Sequence, residues 1–316
     1  MSVTAAKVST KLIRITNSLI DTFVLIIIIL LIVFSGYAIW DSGQVHSAAS
    51  SARYERFNPI TQNDGMSFQA LQAINSDVFA WLTIYGTNID YPVVQGEDNI
   101  RYVNTSAEGR HSLSGAIFLD YRSAPDFSDF SSLFYGHHME NATMFGEIGM
   151  FHEADYFEAR KYGMLYYGGQ EHGLEFFAFV HADAYDSSVF RVGVTGTPEQ
   201  QAYLDLLLDM AIHVRDDVSV TTNDRIVLLS TCSADSTNGR DILLGKITDT
   251  VSGDTFITEN TGNVLAIPTI DELRGLDGAA GWAVRVGIIV IPCFLILLAS
   301  ILLYKKSRKK ERHTKQ

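Results

Sequence analysis

Ile226-Val227-Leu228-Leu229-Ser230-Thr231-Cys232 is an apolar run of β-forming residues that ends on a cysteine. A polar loop (233–239) follows. Then comes Arg240-Asp241-Ile242-Leu243-Leu244-Gly245-Lys246-Ile247, which reads as a second strand. Paired as a hairpin, the two strands set Cys232 at the close of one beside Arg240 at the opening of the other. A thiol beside a guanidinium at one end of a sheet is a candidate active-site pair.

Upstream, residues 81–85, 86–88 and 89–94 read as strand, turn and strand, with Pro92 predicting an edge or a bulge. Further strands are predicted at 115–120, 131–135, 164–167, 174–184 and 217–220. Phe68, Leu71 and Ile74 predict a short helix over 67–75, and 146–159 reads as an irregular one. Thr197-Pro198-Glu199-Gln200 predicts a helix start, with Thr197 as N-cap, Gln200 completing a capping box, and Leu204, Leu207, Leu208 and Ala211 as the buried face. Many short strands with few helices predict a mainly β fold, a closed or nearly closed sheet.

The chain ends differ from this middle. Residues 22–40 and 286–304 are apolar and free of charge, and 19 helical residues span about 28 Å, close to a bilayer core of roughly 30 Å. Lys7, Lys11 and Arg14 precede the first stretch, and seven basic residues follow the second, so both termini are predicted to be cytoplasmic. The expected organisation is a cytoplasmic N-terminus (1–21), a transmembrane helix (22–40), an extracellular spacer (41–65), a catalytic domain (66–250), an extracellular linker (251–285), a second transmembrane helix (286–304) and a basic cytoplasmic tail (305–316). A cleaved signal peptide ending near Gly36-Tyr37-Ala38 is the competing reading of the first stretch; either way the middle is exported.

From residue 41 to residue 283, 34 Asp+Glu stand against 13 Lys+Arg, a net of −21, which makes nucleic acid and anionic lipid poor partners for that surface. The chain has two cysteines, and Cys293 lies in the second apolar stretch. Cys232 is therefore the one thiol outside the predicted membrane, and it has no partner there for an intrachain disulfide. An inert buried cysteine is the alternative.

A cysteine nucleophile needs a group that raises its thiolate fraction, usually a histidine, and donors for the developing oxyanion. His137 and His138 follow Ser131-Ser132-Leu133-Phe134-Tyr135-Gly136, so they too sit at a strand end. Arg240 cannot be a base, because guanidinium stays protonated; its chemistry suits an oxyanion. An ion pair with Asp235 or Asp241 is the alternative for it. A Cys-His-Asp triad using Asp235 or Asp120 stays open. His137, His138 and Glu140 match no metal-ligand spacing, and no metal or cofactor is predicted.

Leu229-Ser230-Thr231-Cys232 with Arg240 on the next strand and Tyr135-Gly136-His137 upstream resembles the signature of sortases, membrane-anchored cysteine transpeptidases mainly of Gram-positive bacteria. The resemblance covers about 68–247. Trp81-Leu82-Thr83-Ile84, Gly115-Ala116-Ile117-Phe118-Leu119-Asp120, Gly136-His137-His138 and Met144-Phe145 are similar to class B members. The resemblance implies a sortase-like closed β-barrel with a few peripheral helices, flanked by two transmembrane helices. It implies His137, Cys232 and Arg240 as catalytic residues, and Asn99, Val103 and Ser230 as peptide-binding ones. Leu228 departs from the family's usual Thr, and the second membrane stretch is similar to class C enzymes.

The implied activity is cleavage of a C-terminal sorting motif of exported proteins through a thioester, with transfer to an amine of a cell-wall precursor or a pilin. The implied partners are sorting-signal peptides, the amine acceptor and the membrane. A catalytically idle, membrane-tethered scaffold on the same fold is the second reading.

Overall fold

The structure, a computed structural model, describes residues 3–60, 66–139, 142–232 and 238–256. The predicted second membrane helix, the basic tail and Asp235 lie outside the described residues. Strands β1 (Val78–Ile84), β2 (Asp90–Val94), β3 (Ile117–Leu119), β4 (Ser131–Tyr135), β7 (Tyr162–Tyr167), β8 (Gln170–Asp183), β10 (Arg225–Cys232) and β11 (Gly239–Thr248) form one sheet. Its order is β11-β10-β4-β3-β2-β1-β7-β8, and β8 pairs back onto β11, closing an eight-stranded barrel. A ninth strand, β9 (Ala211–Val214), continues the sheet beyond β8, and a separate two-stranded ladder joins β5 (His138–Met139) to β6 (Thr143–Met144). The predicted class, mainly β with a closed barrel and few helices, is the observed one.

The unbroken apolar run of β10 is explained by burial on both faces. Val227 and Leu229 join the barrel interior with Trp81, Tyr91, Phe134, Phe145 and Leu243. Ile226 and Leu228 face outward with Leu133, Ile242 and Leu244, under helix α4 (Thr197–Asp209), whose Tyr203, Leu204 and Leu207 are buried. Each such side chain removed from water contributes about 1.5–3 kcal/mol. The barrel therefore has an inner core and an outer one, and strand parity tells which face a residue serves.

Several local predictions differ from the structure. The helix begins at Thr197, with Gly196 (φ 88°) as N-cap and no side-chain capping bond, so Thr197 is one residue inside the predicted cap. Ala211 belongs not to the helix face but to β9, and 217–220 is not a strand. Pro92 lies in β2 between β1 and β3, not on an edge; the ladder to β3 starts only at Val93, so no bond to β3 needs the N–H that proline lacks.

The N-terminal helix α1 (Val3–Ala49) includes one stretch, Ile15–Ala49, long and apolar enough to cross a membrane, and its most apolar 18-residue window is not buried by the protein. The expected spacer is not a free tether. Its first part continues α1 as far as Ala49, whose carbonyl accepts from Tyr91 Oη at 2.8 Å inside the domain. Tyr54 and Phe57 then enter the barrel core. Glu108, its side chain 2% exposed, binds Arg53 at 2.5 Å, Arg110 at 2.9 Å and, more distantly, Arg56 at 3.7 Å. Glu108→Ala leaves Arg53 without its carboxylate and is expected to lower stability by about 1–3 kcal/mol, read as a lower urea midpoint.

Candidate active site

Antiparallel pairing of β10 with β11 places Cys232 directly opposite Arg240. Opposed residues in such a ladder have Cα atoms about 4.5–5.5 Å apart. The predicted hairpin register is thus the observed one. Position 232 shares the parity of Leu228 and Ser230, and Arg240 that of Ile242 and Leu244, so both positions belong to the outer face of the barrel.

The histidine arrives through a different pairing. β4 runs parallel to β10 with Tyr135 aligned on Ser230, and Gly136 N–H donates to the Ser230 carbonyl at 3.2 Å. The ladder ends there, and His137 follows Gly136 at the end of the sheet where β10 closes on Cys232. Gly136 is required here by close approach: a Cβ would meet the Phe145 ring at 2.6 Å. Phe145 N–H in turn donates to the His137 carbonyl at 3.0 Å, which holds the backbone of the histidine from the other side. Three chain segments therefore bring positions 137, 232 and 240 to one end of one sheet face.

His137 is half-buried, and its Nε2 lies 2.8 Å from the Val103 carbonyl oxygen. A carbonyl only accepts, so Nε2 carries the hydrogen and the neutral ring has its lone pair on Nδ1. His138, one residue on, pairs with Met144 in the β5–β6 ladder, and its Nδ1 is buried with no partner among the described residues. The structure thus separates the two adjacent histidines: only His137 is held by the turn that carries Val103.

Arg240 is half-buried, donates from Nη1 to the Gly239 carbonyl at 3.0 Å, and forms no ion pair among the described residues. Asp241, its sequence neighbour, turns to the other face and binds His181 Nδ1 at 2.8 Å. The ion pair of Arg240 with Asp241 is therefore not made, and Asp235, the other partner expected, lies outside the described residues.

The residues expected to bind peptide are divided. Val103 is half-buried and contacts His137 as above. Ser230 is 1% exposed, and its Oγ has no partner among the described residues. Asn99 is already engaged: its Nδ2 donates to Asp120 Oδ2 at 2.8 Å, and its Oδ1 accepts from Tyr121 N–H at 3.1 Å. Asp120 is fully buried and accepts further from Arg122 Nε and Nη2, at 2.9 and 2.8 Å, and from Tyr135 Oη at 3.2 Å. Burial alone would raise its pKa, yet the Arg122 and Asn99 bonds hold it below the usual carboxylate value. Its stabilising contribution is present above the unfolded carboxylate pKa of about 3.9 and is lost as pH falls through the lower folded value. Burial, with the same carboxylate beside it, pushes the pKa of the Tyr135 hydroxyl upward. With its carboxylate so occupied, Asp120 does not bond His137, and the triad through Asp120 does not form. The arrangement left, a cysteine position flanked by an imidazole and by a guanidinium that makes no ion pair among the described residues, suits acyl transfer.

No family model matches the sequence. Sortase B of Listeria monocytogenes is 31% identical over 179 residues, 56% of this chain and 72% of that protein. Among solved structures, sortase B from the type II pilus of Streptococcus pneumoniae is 48% identical with a TM-score of 0.51, covering 58% of this chain and 99% of its own. A Streptococcus pyogenes class B sortase involved in pilus biogenesis is 41% identical with a TM-score of 0.53, covering 58% and 98%. The barrel is thus that of a cysteine transpeptidase. The chain belongs to the sortase family and is class B-like within it.

Proposed function

We propose that the protein is a membrane-anchored transpeptidase that works through a thioester on Cys232. The Cys232 thiolate attacks the carbonyl carbon of the scissile residue in a C-terminal sorting motif, forming a C–S bond. Arg240 holds the resulting oxyanion. The C–N bond then breaks as His137 gives the leaving amine a proton, leaving the thioester. An incoming amine attacks that thioester, passes a proton to His137 and expels the thiolate, so the enzyme is returned unchanged. The observation that carries this reading is the register: Cys232 opposite Arg240 on one side, and the β4 continuation that bears His137 on the other.

The acceptor we propose is an amine of a pilus subunit. The two relatives named for a pilus share 48% and 41% identity with this chain. The N-terminal apolar helix supports anchoring, with the barrel on the outer side of the membrane. A second span at 286–304 with both termini cytoplasmic is proposed from sequence. Asn99, Val103 and Ser230 would border the peptide.

The test is mass spectrometry of the full-length protein in detergent micelles after mixing with sorting peptides and amines. The expected result is a protein mass increased by the acyl fragment, resolved to a peptide–amine product. Absence of both with every peptide tried would refute the reading, and transfer to a cell-wall amine but not to a pilus-subunit lysine would overturn the acceptor. Arg240→Ala is expected to lower turnover by ~10²-fold or more, with a smaller change in KM, because the lost interaction is made mostly in the transition state.

A further inference from the structure

We propose that Asp120 is a positioning residue for His137, acting at one remove by fastening the turn that carries Val103 to the strand that carries the histidine. The proposal rests on His137 being the acid–base group of the reaction above. Two bridges join the same two segments. In the first, Val103 at the end of the turn Arg101–Val103 accepts from His137 Nε2 at 2.8 Å. In the second, Asn99, two residues ahead of that turn, donates to Asp120 Oδ2 at 2.8 Å. The same oxygen accepts from Tyr135 Oη at 3.2 Å, and Tyr135 ends β4 two residues before His137. Asp120 closes the loop between the segments.

The chemistry of the group suits this role. An ionised carboxylate only accepts, and every side chain that reaches it here is a donor. Arg122 supplies three of those bonds, two from its guanidinium and one from its backbone N–H at 3.0 Å. The backbone of Asp120 is pinned as well: its N–H donates to the Leu133 carbonyl at 2.8 Å, and its carbonyl accepts from Gln95 Nε2 at 2.9 Å. The carboxylate is therefore a fixed point from which Asn99 and Tyr135 take their places. Removing it leaves the amide of Asn99 and the hydroxyl of Tyr135 without their acceptor, while Arg122, half exposed, is satisfied by water.

The consequence falls on the ring of His137. While the turn stays seated, Val103 forces the hydrogen onto Nε2 and leaves Nδ1 to exchange protons with the sulfur and the amines. If the turn drifts, the ring loses both its tautomer and its aim, and a misplacement of about 1 Å costs on the order of 10²-fold. Other bonds also hold the turn, among them Ala116 N–H to the Tyr102 carbonyl at 3.0 Å and Tyr102 Oη to Asp77 at 2.6 Å, so its loss on substitution is partial.

The experiment uses the full-length protein in detergent micelles, labelled with 15N-histidine, the His137 signals being assigned by their disappearance in His137→Gln. The wild-type ring is expected to be the Nε2–H tautomer. Asp120→Ala is expected to mix the tautomers and to lower kcat about 10- to 100-fold. Tyr135→Phe, which removes one arm only and keeps the ring, is expected to shift the tautomer ratio in the same direction with a loss of a few-fold. Should Asp120→Ala not fold, Asp120→Asn and Tyr135→Phe carry the test. A His137 tautomer unchanged in the folded variants overturns the proposal, whether or not activity falls. Because the ring is read directly, this outcome is distinct from a failure of the transpeptidase reading, in which the wild-type protein itself forms no acyl adduct.

Discussion

Cys232→Ala is expected to abolish both the acyl adduct and the transferred product, a loss on the order of 10⁴- to 10⁶-fold. The size follows from chemistry. Alanine offers no electron pair for the carbonyl, and the other cysteine of the chain, Cys293, sits in the apolar stretch 286–304. Direct attack by the amine, without a covalent intermediate, is then all that remains, aided only by the oxyanion site and by binding. The backbone is already an extended strand paired with Arg240, which alanine adopts. The unfolding midpoint should therefore stay near that of the wild type, separating a chemical loss from a folding one. Mass spectrometry after incubation with peptide and amine checks this; an adduct that persists in the variant would place the nucleophile elsewhere.

His137→Ala is expected to lower turnover by about 10²- to 10⁴-fold. The residue is asked to do two things, to protonate the leaving amine and to take a proton from the incoming one. Its removal also takes away the imidazole that favours the thiolate, so iodoacetamide alkylation of Cys232 near neutral pH should slow. An ordinary thiol ionises near pH 8.5, so alkylation of the variant should recover toward the wild-type rate as pH rises through about that value. Turnover should not recover with it, because the leaving amine still lacks its acid. The comparison of alkylation with turnover across pH separates the two roles. His138→Ala gives the contrast: its backbone belongs to the β5–β6 ladder and the Val103 carbonyl meets His137 instead, so it is expected to leave alkylation near wild type.

The Cys–Arg half of the site was legible because it is local. Two apolar runs joined by a polar loop make a hairpin, and a hairpin's register places its terminal residues opposite one another. The match of Cys232 with Arg240 follows from counting along it. The histidine half was legible as two candidates at a strand end, and family resemblance alone pointed to His137. Its approach depends on β4 and β10 lying parallel and adjacent, a non-local pairing that no turn chemistry announces. Asp120 was harder still. Its residue type and its spacing to Arg122 were visible, yet its acceptance of Asn99 and Tyr135 needs three segments folded together. The failures share a cause. A helix boundary displaced by one residue at Thr197, Ala211 assigned to the helix face when it opens a strand, and a supposed spacer that enters the core through Tyr54 and Phe57 are all cases where packing overrode local pattern.

What the chain's letters determined by themselves are the features set by period and composition. These are the apolar helix long enough for a bilayer, the acidic middle, the mainly β class, and one thiol closing a strand beside an arginine that opens the next. Each depends on neighbours within a few residues, where backbone geometry fixes what meets what. Only the tertiary structure decided that β8 returns to β11 to close the barrel, that His137 rather than His138 meets the Val103 carbonyl, and that Asp120 accepts from Asn99 and Tyr135 without touching the histidine. The physical reason is that these contacts join segments distant in sequence. Which of them forms is settled by burying both faces of the strands and satisfying every buried donor at once, a condition on the whole chain.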